Sequence, residues 1–164
     1  SKNNNKILFI GNLKYLPNIL AVKSFVKEIL PTLKGKIPNI KFEVIGEISI
    51  FNRFLLSHNK SVKCWGSQKN LDKFIKGSIC GLANLKIATG IQGKILTYMS
   101  YGLPVICSDK AARNFNKNVI SFNENFKLIN IISKLQNDRK LSNQISKKSI
   151  KFVENFSWKK ISRQ

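Results

Sequence analysis

The chain has 164 residues, of which 43% are hydrophobic, and a formal net charge of +21 from 29 Lys and Arg against 8 Asp and Glu. This length fits one domain with a real core, and no apolar run is long enough to span a bilayer. We therefore expect a single domain covering residues 1–164. The start at residues 1–6 is polar and lacks the apolar core of a signal peptide.

The positive charge is compatible with nucleic acid, an anionic membrane surface or an acidic polymer as partner. Almost all of it comes from Lys, and the positive residues are spread along the whole chain. A dedicated nucleic-acid module usually relies on Arg for bidentate contacts to phosphates and bases. The pattern therefore favours a solvated basic surface first, attraction to an anionic membrane second, and specific nucleic-acid binding last.

The cysteine and histidine content indicates neither disulfides nor a metal site. Cys64, Cys80 and Cys107 are odd in number, form no CxxC pair and lie in apolar runs. They are expected to be buried free thiols in a reducing compartment, which places the protein in the cytoplasm. The single histidine, His58, lies in a polar stretch without cysteines or carboxylates and is expected at the surface.

The hydrophobic pattern alternates between short apolar runs and helical periods. A continuous apolar run at residues 7–10 is typical of a parallel strand buried on both faces. Apolar residues then recur at helical spacing over 22–33, and Pro31 should kink or end this helix near its last turn. A strand at 42–45 and a short helix at 50–56 repeat the cycle.

The same alternation continues to the end of the chain. Strands are predicted at 62–65, 79–82, 104–107 and 119–122, and helices at 71–75, 91–99 (closed by Gly102), 126–135 and 141–156. Strands that alternate with helices predict an α/β fold, namely a doubly wound, mostly parallel, Rossmann-like sheet of about six strands.

Two loops lie where such a sheet binds its ligands, beyond the carboxyl ends of the strands. The first follows the first strand and begins with Gly11 and Asn12. In the second, Thr89 is predicted as the N-cap of a helix, Gly90 lets a ligand approach the backbone, and Lys94 adds a positive charge. Free N–H groups at such a helix start favour a phosphate, although an ordinary capped helix with a surface lysine explains this loop equally well.

Other signals at the strand ends are weaker. Neither GxGxxG nor GxxxxGK[ST] occurs in the chain, so the dinucleotide fingerprint and the P-loop do not apply. Trp65 and Gly66 end the third strand. The indole suits flanking a base or ring, but a place in the core is the more common use of tryptophan.

Several of these pieces occur in one recognisable order. They are residues 9–13 with Tyr15, Pro17 and Asn18, then 29–31, 44–46, Gly66, 90–96, 99–106 and the ending 156–158. In this order the chain resembles the C-terminal, donor-binding domain of family-4 glycosyltransferases. The resemblance covers nearly the whole chain, and residues 90–106 are its most specific part.

The resemblance implies one lobe of a two-lobed GT-B enzyme that takes a nucleoside diphosphate sugar of the UDP or GDP type as substrate. The diphosphate would be surrounded by Gly11, Asn12, Thr89, Gly90, Gly93 and Lys94. The ribose and base would face Trp65, Gly66, Ser67 and Thr97. The resemblance also implies retention at the anomeric carbon, no essential metal, no separate cofactor, and an acceptor held mostly by an N-terminal lobe that this chain lacks.

The chain departs from the family pattern at four positions. The family usually has two glutamates seven residues apart, and here Thr89 and Thr97 occupy those places. A threonine hydroxyl can bond one ribose hydroxyl but cannot clasp two as a carboxylate does. The usual Arg and Lys after the first strand are replaced by Asn12 and Asn18, which Lys94 partly compensates.

The leading hypothesis is thus the nucleotide-sugar-binding half of a retaining glycosyltransferase for cell-envelope polysaccharide or glycolipid, working in the cytoplasm beside the inner face of the membrane. No acidic residue and no histidine stands in a convincing general-base setting, so the catalytic residues stay unknown and the isolated domain is expected to be inactive. The alternatives are a non-catalytic binding or scaffold domain with a degenerate donor site, and a basic nucleic-acid-binding domain.

Overall fold

A six-stranded sheet organises the chain. The computed structural model describes residues 4–161, except for the side chains of 116 and 158–161, so Trp158 of the family-like ending lies outside the described side chains. All strand pairs in the described chain are parallel, in the order β3-β2-β1-β4-β5-β6. The strands are β1 (Lys6–Ile10), β2 (Lys41–Ile45), β3 (Val62–Cys64), β4 (Ser78–Ala83), β5 (Val105–Ser108) and β6 (Ile120–Phe122).

Helices connect the strands and cover both faces of the sheet, which confirms the predicted doubly wound Rossmann-like fold. The strand order reverses between β1 and β4, where such sheets open a crevice for ligands. The α-helices are α1 (Leu16–Ser24), α2 (Leu30–Lys36), α3 (Ile50–Ser57), α4 (Asp72–Ile75), α5 (Gly93–Ser100), α6 (Asp109–Ala112), α7 (Asn125–Asn137) and α8 (Arg139–Ile161).

The core has two layers because successive side chains of a strand point to opposite faces. Ile7 and Phe9 of β1 pack on one face, in a cluster that also contains residues of α1, α2 and α7. Leu8 packs on the other face with buried residues of α4 and α5. The apolar run at residues 7–10 was therefore interpreted correctly as a strand buried on both faces.

The interruption expected at Pro31 takes the form of a π turn. Residues Phe25–Ile29 wind as a π-helix between α1 and α2, and the N–H of Leu30 donates to the carbonyl of Phe25. Proline has no N–H and its ring crowds the carbonyl four residues before it, so one widened turn lets the helical path continue to Lys36. The helix therefore extends beyond the predicted last turn.

Two short elements were not predicted from the sequence, namely α6 and a 3-10 turn at Asn116–Asn118. Both lie between β5 and β6 and are too short to show a helical period. Ser108 caps α6, because its Oγ accepts a hydrogen bond from the N–H of Ala111 at 3.4 Å.

Candidate functional site

The turn after β1 is held in place by backbone contacts with the end of β2. The N–H of Gly11 donates to the carbonyl of Ile45 at 2.9 Å, and the N–H of Leu13 donates to the carbonyl of Glu47 at 2.7 Å. Gly46 has a φ of 142°, and a Cβ at this position would overlap the carbonyl oxygen of Gly11. Glycine at 46 is thus required both by its backbone conformation and by this close approach.

Lys94 reaches this turn from the neighbouring helix α5. Its Nζ donates to Oδ1 of Asn18 at 2.6 Å and lies 4.0 Å from the centroid of the Phe9 ring. A Cβ placed on Gly11 would lie only 2.9 Å from that same Nζ. The structure therefore brings together Gly11 and Lys94, as predicted, and adds Asn18 as the residue that orients the lysine.

The ammonium group of Lys94 lacks a counter-charge in the described part of the chain. Burial lowers the pKa of Lys94 to about 7, because a desolvated ammonium loses its favourable interaction with water. The ion pairs of the described residues involve other lysines, such as Lys14, whose Nζ lies 3.4 Å from Glu47. An anion bound at the Gly11 turn would supply the missing negative charge.

The prediction that Thr89 caps helix α5 is wrong. The helix begins at Gly93, and its N-cap is Gln92, whose side chain makes no capping bond. Gly90, with a φ of 65°, bends the chain before the helix starts, and the exposed Thr89 is left upstream in the loop. Its carbonyl accepts a hydrogen bond from Nε2 of Gln92 at 3.1 Å.

The start of α5 is open to a ligand. A Cβ built on either Gly90 or Gly93 would meet no heavy atom within 4 Å. The carbonyl of Gly90 accepts from Nδ2 of Asn114 at 3.0 Å, which ties the loop to the segment after α6. The helix start, with its partial positive charge, therefore faces free space.

Asn12, predicted at the diphosphate, shapes the turn itself. Its Oδ1 accepts from the N–H of Lys14 at 2.9 Å, and its carbonyl accepts from Nδ2 of Asn18 at 3.0 Å. The first bond is typical of an Asx turn. Because Asn18 bonds both Asn12 and Lys94, the two asparagines and the lysine form one hydrogen-bonded unit.

The side chains of Thr97 and Trp65, predicted at the ribose and base, are already engaged in contacts within the domain. The hydroxyl of Thr97 donates to the carbonyl of Gly93 at 3.0 Å, within its own helix. Trp65 packs edge-on against Phe74 with 5.2 Å between ring centroids, while Nζ of Lys63 lies 3.9 Å from the indole centroid. The indole is thus half-buried and covered by neighbours.

The loop after β3, which contains Gly66 and Ser67, is bonded to the end of β2. Gly66 has a φ of 70°, and its carbonyl accepts from the N–H of Gly46 at 2.9 Å. Ser67 follows it and is exposed. Through Gly46, the loop after β3 is therefore connected directly to the Gly11 turn.

Tyr98 is a site-forming residue that sequence reasoning missed. Its hydroxyl accepts from the N–H of Ile10 at 2.8 Å and donates to the carbonyl of Leu82 at 3.0 Å, so it joins β1 and β4 where the crevice opens. Burial raises the pKa of this phenol, which stays neutral. Gly81 makes room for the ring, because a Cβ there would overlap it. A tyrosine at a helical core position carries no mark of this role in the sequence.

A separate cavity of about 470 Å³ lies beyond the carboxyl ends of β4, β5 and β6, between the first helical segment and α7. Its charged residues balance, with two carboxylates and two lysines, and Phe122 supplies an aromatic wall. Other lining groups are amides and hydroxyls. The charged and amide residues are Glu28, Asp109, Lys86, Lys110, Asn84, Asn123 and Asn125.

Cys80, Cys107 and His58 have the burial that the sequence predicts, whereas Cys64 is less buried than expected. Cys80 and Cys107 are buried and Cys64 is half-buried, all as free thiols, and burial raises the pKa of Cys107 to about 12. His58 is exposed on α3, where its Nδ1 lies 2.9 Å from the carbonyl of Phe54. Within residues 4–161, no three His, Cys, Asp or Glu side chains come together as a metal site, and no helix there has the length and apolar character to cross a membrane.

Solved structures with the same architecture define the fold class. The chain superposes on TarM with a TM-score of 0.75 at 16% identity, covering 93% of this chain and 32% of TarM. Sucrose-phosphate synthase from Thermosynechococcus elongatus gives 0.74 at 14% identity, covering 99% of this chain and 45% of that one. Anabaena Alr3699/HepE in complex with UDP and glucose gives 0.71 at 14%, covering 93% and 44%. The domain therefore has the fold of one lobe of a GT-B protein.

The chain belongs to the family of group 1 glycosyl transferases, whose model matches residues 4–138. It spans less than half the length of each of the three solved structures. No curated protein sequence is similar enough to match it.

Proposed function

We propose that this domain binds the diphosphate of a nucleotide sugar at the carboxyl ends of β1 and β4, and that it serves in transferring the sugar to an acceptor hydroxyl. The observation that carries the proposal is the position of the Lys94 ammonium at the Gly11 turn, beside the open start of α5 and without a carboxylate partner among the described residues. A fixed cation and free backbone amides are the groups that bind a diphosphate.

The donor lies across this edge with its diphosphate against Gly11, Asn12, Gly90, Gly93 and Lys94. Thr89, exposed in the same loop, bonds the sugar side of the diphosphate. The ribose lies over Thr97, and the base lies over the loop of Gly66 and Ser67, with Trp65 beneath it. We favour a uridine donor, because structural neighbours include HepE in complex with UDP-glucose and the pneumococcal O-GlcNAc transferase GtfA in complex with UDP and GlcNAc.

In the transfer step this lobe stabilises the negative charge that develops on the departing nucleotide. The amides at Gly90 and Gly93 and the ammonium of Lys94 are fixed before the reaction, so they supply this stabilisation without reorganising. Lys94 then neutralises negative charge on the diphosphate, a role that a bound metal ion can also have. We propose that configuration is retained at the anomeric carbon, and that the acceptor and the remaining catalytic groups belong to a second, N-terminal lobe. The 164-residue chain alone is then expected to bind donor without transferring sugar.

The sugar end of the donor points toward the cavity beside β4, β5 and β6. The chain after β4 lines this cavity at Asn84, Leu85 and Lys86 and then leads to the start of α5. Balanced charges, amides and the Phe122 ring suit a neutral sugar better than a phosphate.

In NMR titrations UDP-glucose should shift the Phe122 signals, and UDP alone should not.

We place this activity in cell-envelope polysaccharide or glycolipid synthesis, at the cytoplasmic face of an anionic membrane. The support is the net charge of +21 and the fold shared with WaaG, a glycosyltransferase involved in lipopolysaccharide biosynthesis. A basic protein surface is attracted to anionic lipid headgroups.

Calorimetry of the purified chain with UDP and GDP tests the proposal. We expect the chain to bind UDP, and to bind GDP with lower affinity. Absence of binding for both nucleotides at millimolar concentration would instead support a scaffold domain whose donor site has decayed, as the threonines at 89 and 97 allow.

A further inference from the structure

Helix α3 carries an uncovered apolar face. Ile50, Phe51, Phe54 and Leu55 are 89%, 68%, 61% and 43% exposed. Their spacing places them along one side of the helix, while Leu56 alone is buried in the core. Scattered exposed apolar residues are ordinary, but four large ones on two turns form a patch that calls for a binding partner.

The patch is held rigidly by the rest of the domain. Ser49 caps the helix, because its Oγ accepts from the N–H of Asn52 at 3.2 Å. The guanidinium of Arg53 donates to the carbonyl of Cys64 at 3.3 Å, which fastens the helix to the end of β3. The apolar face is therefore presented outward in one fixed orientation.

The charged residues between Glu47 and Asp72, a stretch that includes α3, are all basic. No Asp or Glu occurs between Glu47 and Asp72 in the sequence, whereas this stretch contains four cations, Arg53, Lys60, Lys63 and Lys69. All four are exposed in the structure. A protein partner with an apolar surface would not require this charge, but an anionic lipid surface attracts each of these cations.

We propose that α3 docks this domain on an anionic phospholipid membrane, with its apolar side chains at the boundary of the acyl chains and the surrounding cations against lipid phosphates. Amphipathic helices with Phe and Leu on one side and basic residues nearby bind membranes in this way. The inference rests on the membrane location in the proposed function, and it names the surface responsible.

The proposed membrane face and the candidate donor site lie at different strands of the sheet. The helix lies against β3, which is the last strand at one end of the sheet. The Gly11 turn lies at the carboxyl ends of the central strands β1 and β4. A membrane in contact with α3 therefore lies at the edge of the sheet, whereas we place the donor at the central strands.

Vesicle flotation of the full 164-residue chain tests the inference. The chain should float with vesicles that mix phosphatidylcholine and phosphatidylglycerol, much less with phosphatidylcholine alone, and less as salt increases. The double variant Phe51→Ser/Phe54→Ser should lower partitioning into anionic vesicles roughly tenfold or more, because two apolar side chains no longer enter the interface. Lys60→Glu should lower it more than fivefold, because the change removes one attractive charge and adds a repulsive one.

Matched controls come from other exposed positions. Phe126 on α7 is 56% exposed, and Phe126→Ser should leave partitioning unchanged. Lys148 is exposed on α8, and Lys148→Glu should have a much smaller effect than Lys60→Glu. Because all these side chains are at the surface, the variants should keep the thermal unfolding temperature of the parent.

The inference is overturned if the chain ignores anionic vesicles, or if Phe126→Ser weakens partitioning as much as the α3 variant. It is also overturned if sedimentation shows a dimer that only the α3 variant disrupts, since the patch would then cover a second copy. UDP calorimetry on the same variants separates the two proposals. If the α3 variants lose vesicle binding but bind UDP normally, the membrane-docking proposal is supported independently of the donor site. If the parent chain floats with anionic vesicles but does not bind UDP, the donor-site proposal fails and the membrane-docking surface stands.

Discussion

The two ends of the candidate donor site differ in how their side chains are packed and bonded. At the diphosphate end, Gly11, Asn18 and Lys94 are packed against one another and locked by Gly46 from the next strand. At the nucleoside end, the hydroxyl of Thr97 is bonded within its own helix and the indole of Trp65 is covered. Under the proposed function, the affinity for the donor would then come from charge and backbone geometry at the phosphates, with little from recognition of the ribose.

The largest effect is expected when the lock on the Gly11 turn is removed. In Gly46→Ala the new Cβ overlaps the carbonyl of Gly11, and the positive φ disfavours alanine as well. The free energy of unfolding should fall by roughly 3 kcal/mol or more in urea titrations. Gly35→Ala is the control, since it lies in α2 with open space around it and should leave stability equal or raise it by about 1 kcal/mol.

Removal of the cation should be the next largest effect. Lys94→Met keeps the length of the side chain but loses charge-assisted bonds to phosphate, so UDP affinity measured by calorimetry should fall roughly 10- to 100-fold. The fold should tolerate the change, because a buried ammonium without a carboxylate partner is costly to keep. Lys140→Met, at an exposed position on α8, should bind UDP like the parent, and equal losses in both variants would remove Lys94 from the site.

The pH dependence of binding should follow the ionisation of Lys94. Its pKa is about 7 in the empty site, and a bound diphosphate raises that pKa because it stabilises the ammonium form. Binding then takes up a proton, so UDP-glucose affinity is greatest below about pH 7 and falls by up to tenfold per pH unit above it. Lys94→Arg stays charged and should flatten the profile; a slope that survives in Lys94→Arg would assign the titration to another group.

The same shift predicts a pH dependence of stability. Lys94 in the folded protein has a lower pKa than its ordinary value of 10.5, so the unfolded chain binds more protons between about 7 and 10.5. This lysine's contribution to stability therefore rises with pH across that window and is lost as the pH falls toward 7. Urea midpoints of the parent and Lys94→Met should converge at high pH.

The smallest effect, and the one of opposite sign, concerns the nucleoside end. Thr97→Glu restores a carboxylate that can accept both ribose hydroxyls, and it should strengthen UDP binding roughly three- to tenfold. Thr97→Gln, which lacks the charge, should gain less. Unchanged or weaker binding of Thr97→Glu would show that the ribose does not lie over this turn of α5, and the proposed orientation of the donor would need revision.

Much of the architecture could be predicted because it depends on local patterns. Each short apolar run became a parallel strand and each helical period became a helix, since burial on both faces of a sheet demands that alternation. The loops that begin at Gly11 and Gly90 were placed at the ligand-binding edge for the same reason. Thr89 was misplaced as a cap, because the turn at Gly90 delays the start of α5 to Gly93, which a propensity rule does not show.

The sequence by itself determined the α/β class, the strand count and the two loops of the candidate site, because periodicity and glycine punctuation act over a few residues. Only the tertiary structure decided which groups meet there. Lys94 and Asn18 are 76 residues apart, and Tyr98 and Ile10 are 88 apart. Their contacts arise from the crossover that sets β1 beside β4, and no local pattern in either segment encodes that neighbour.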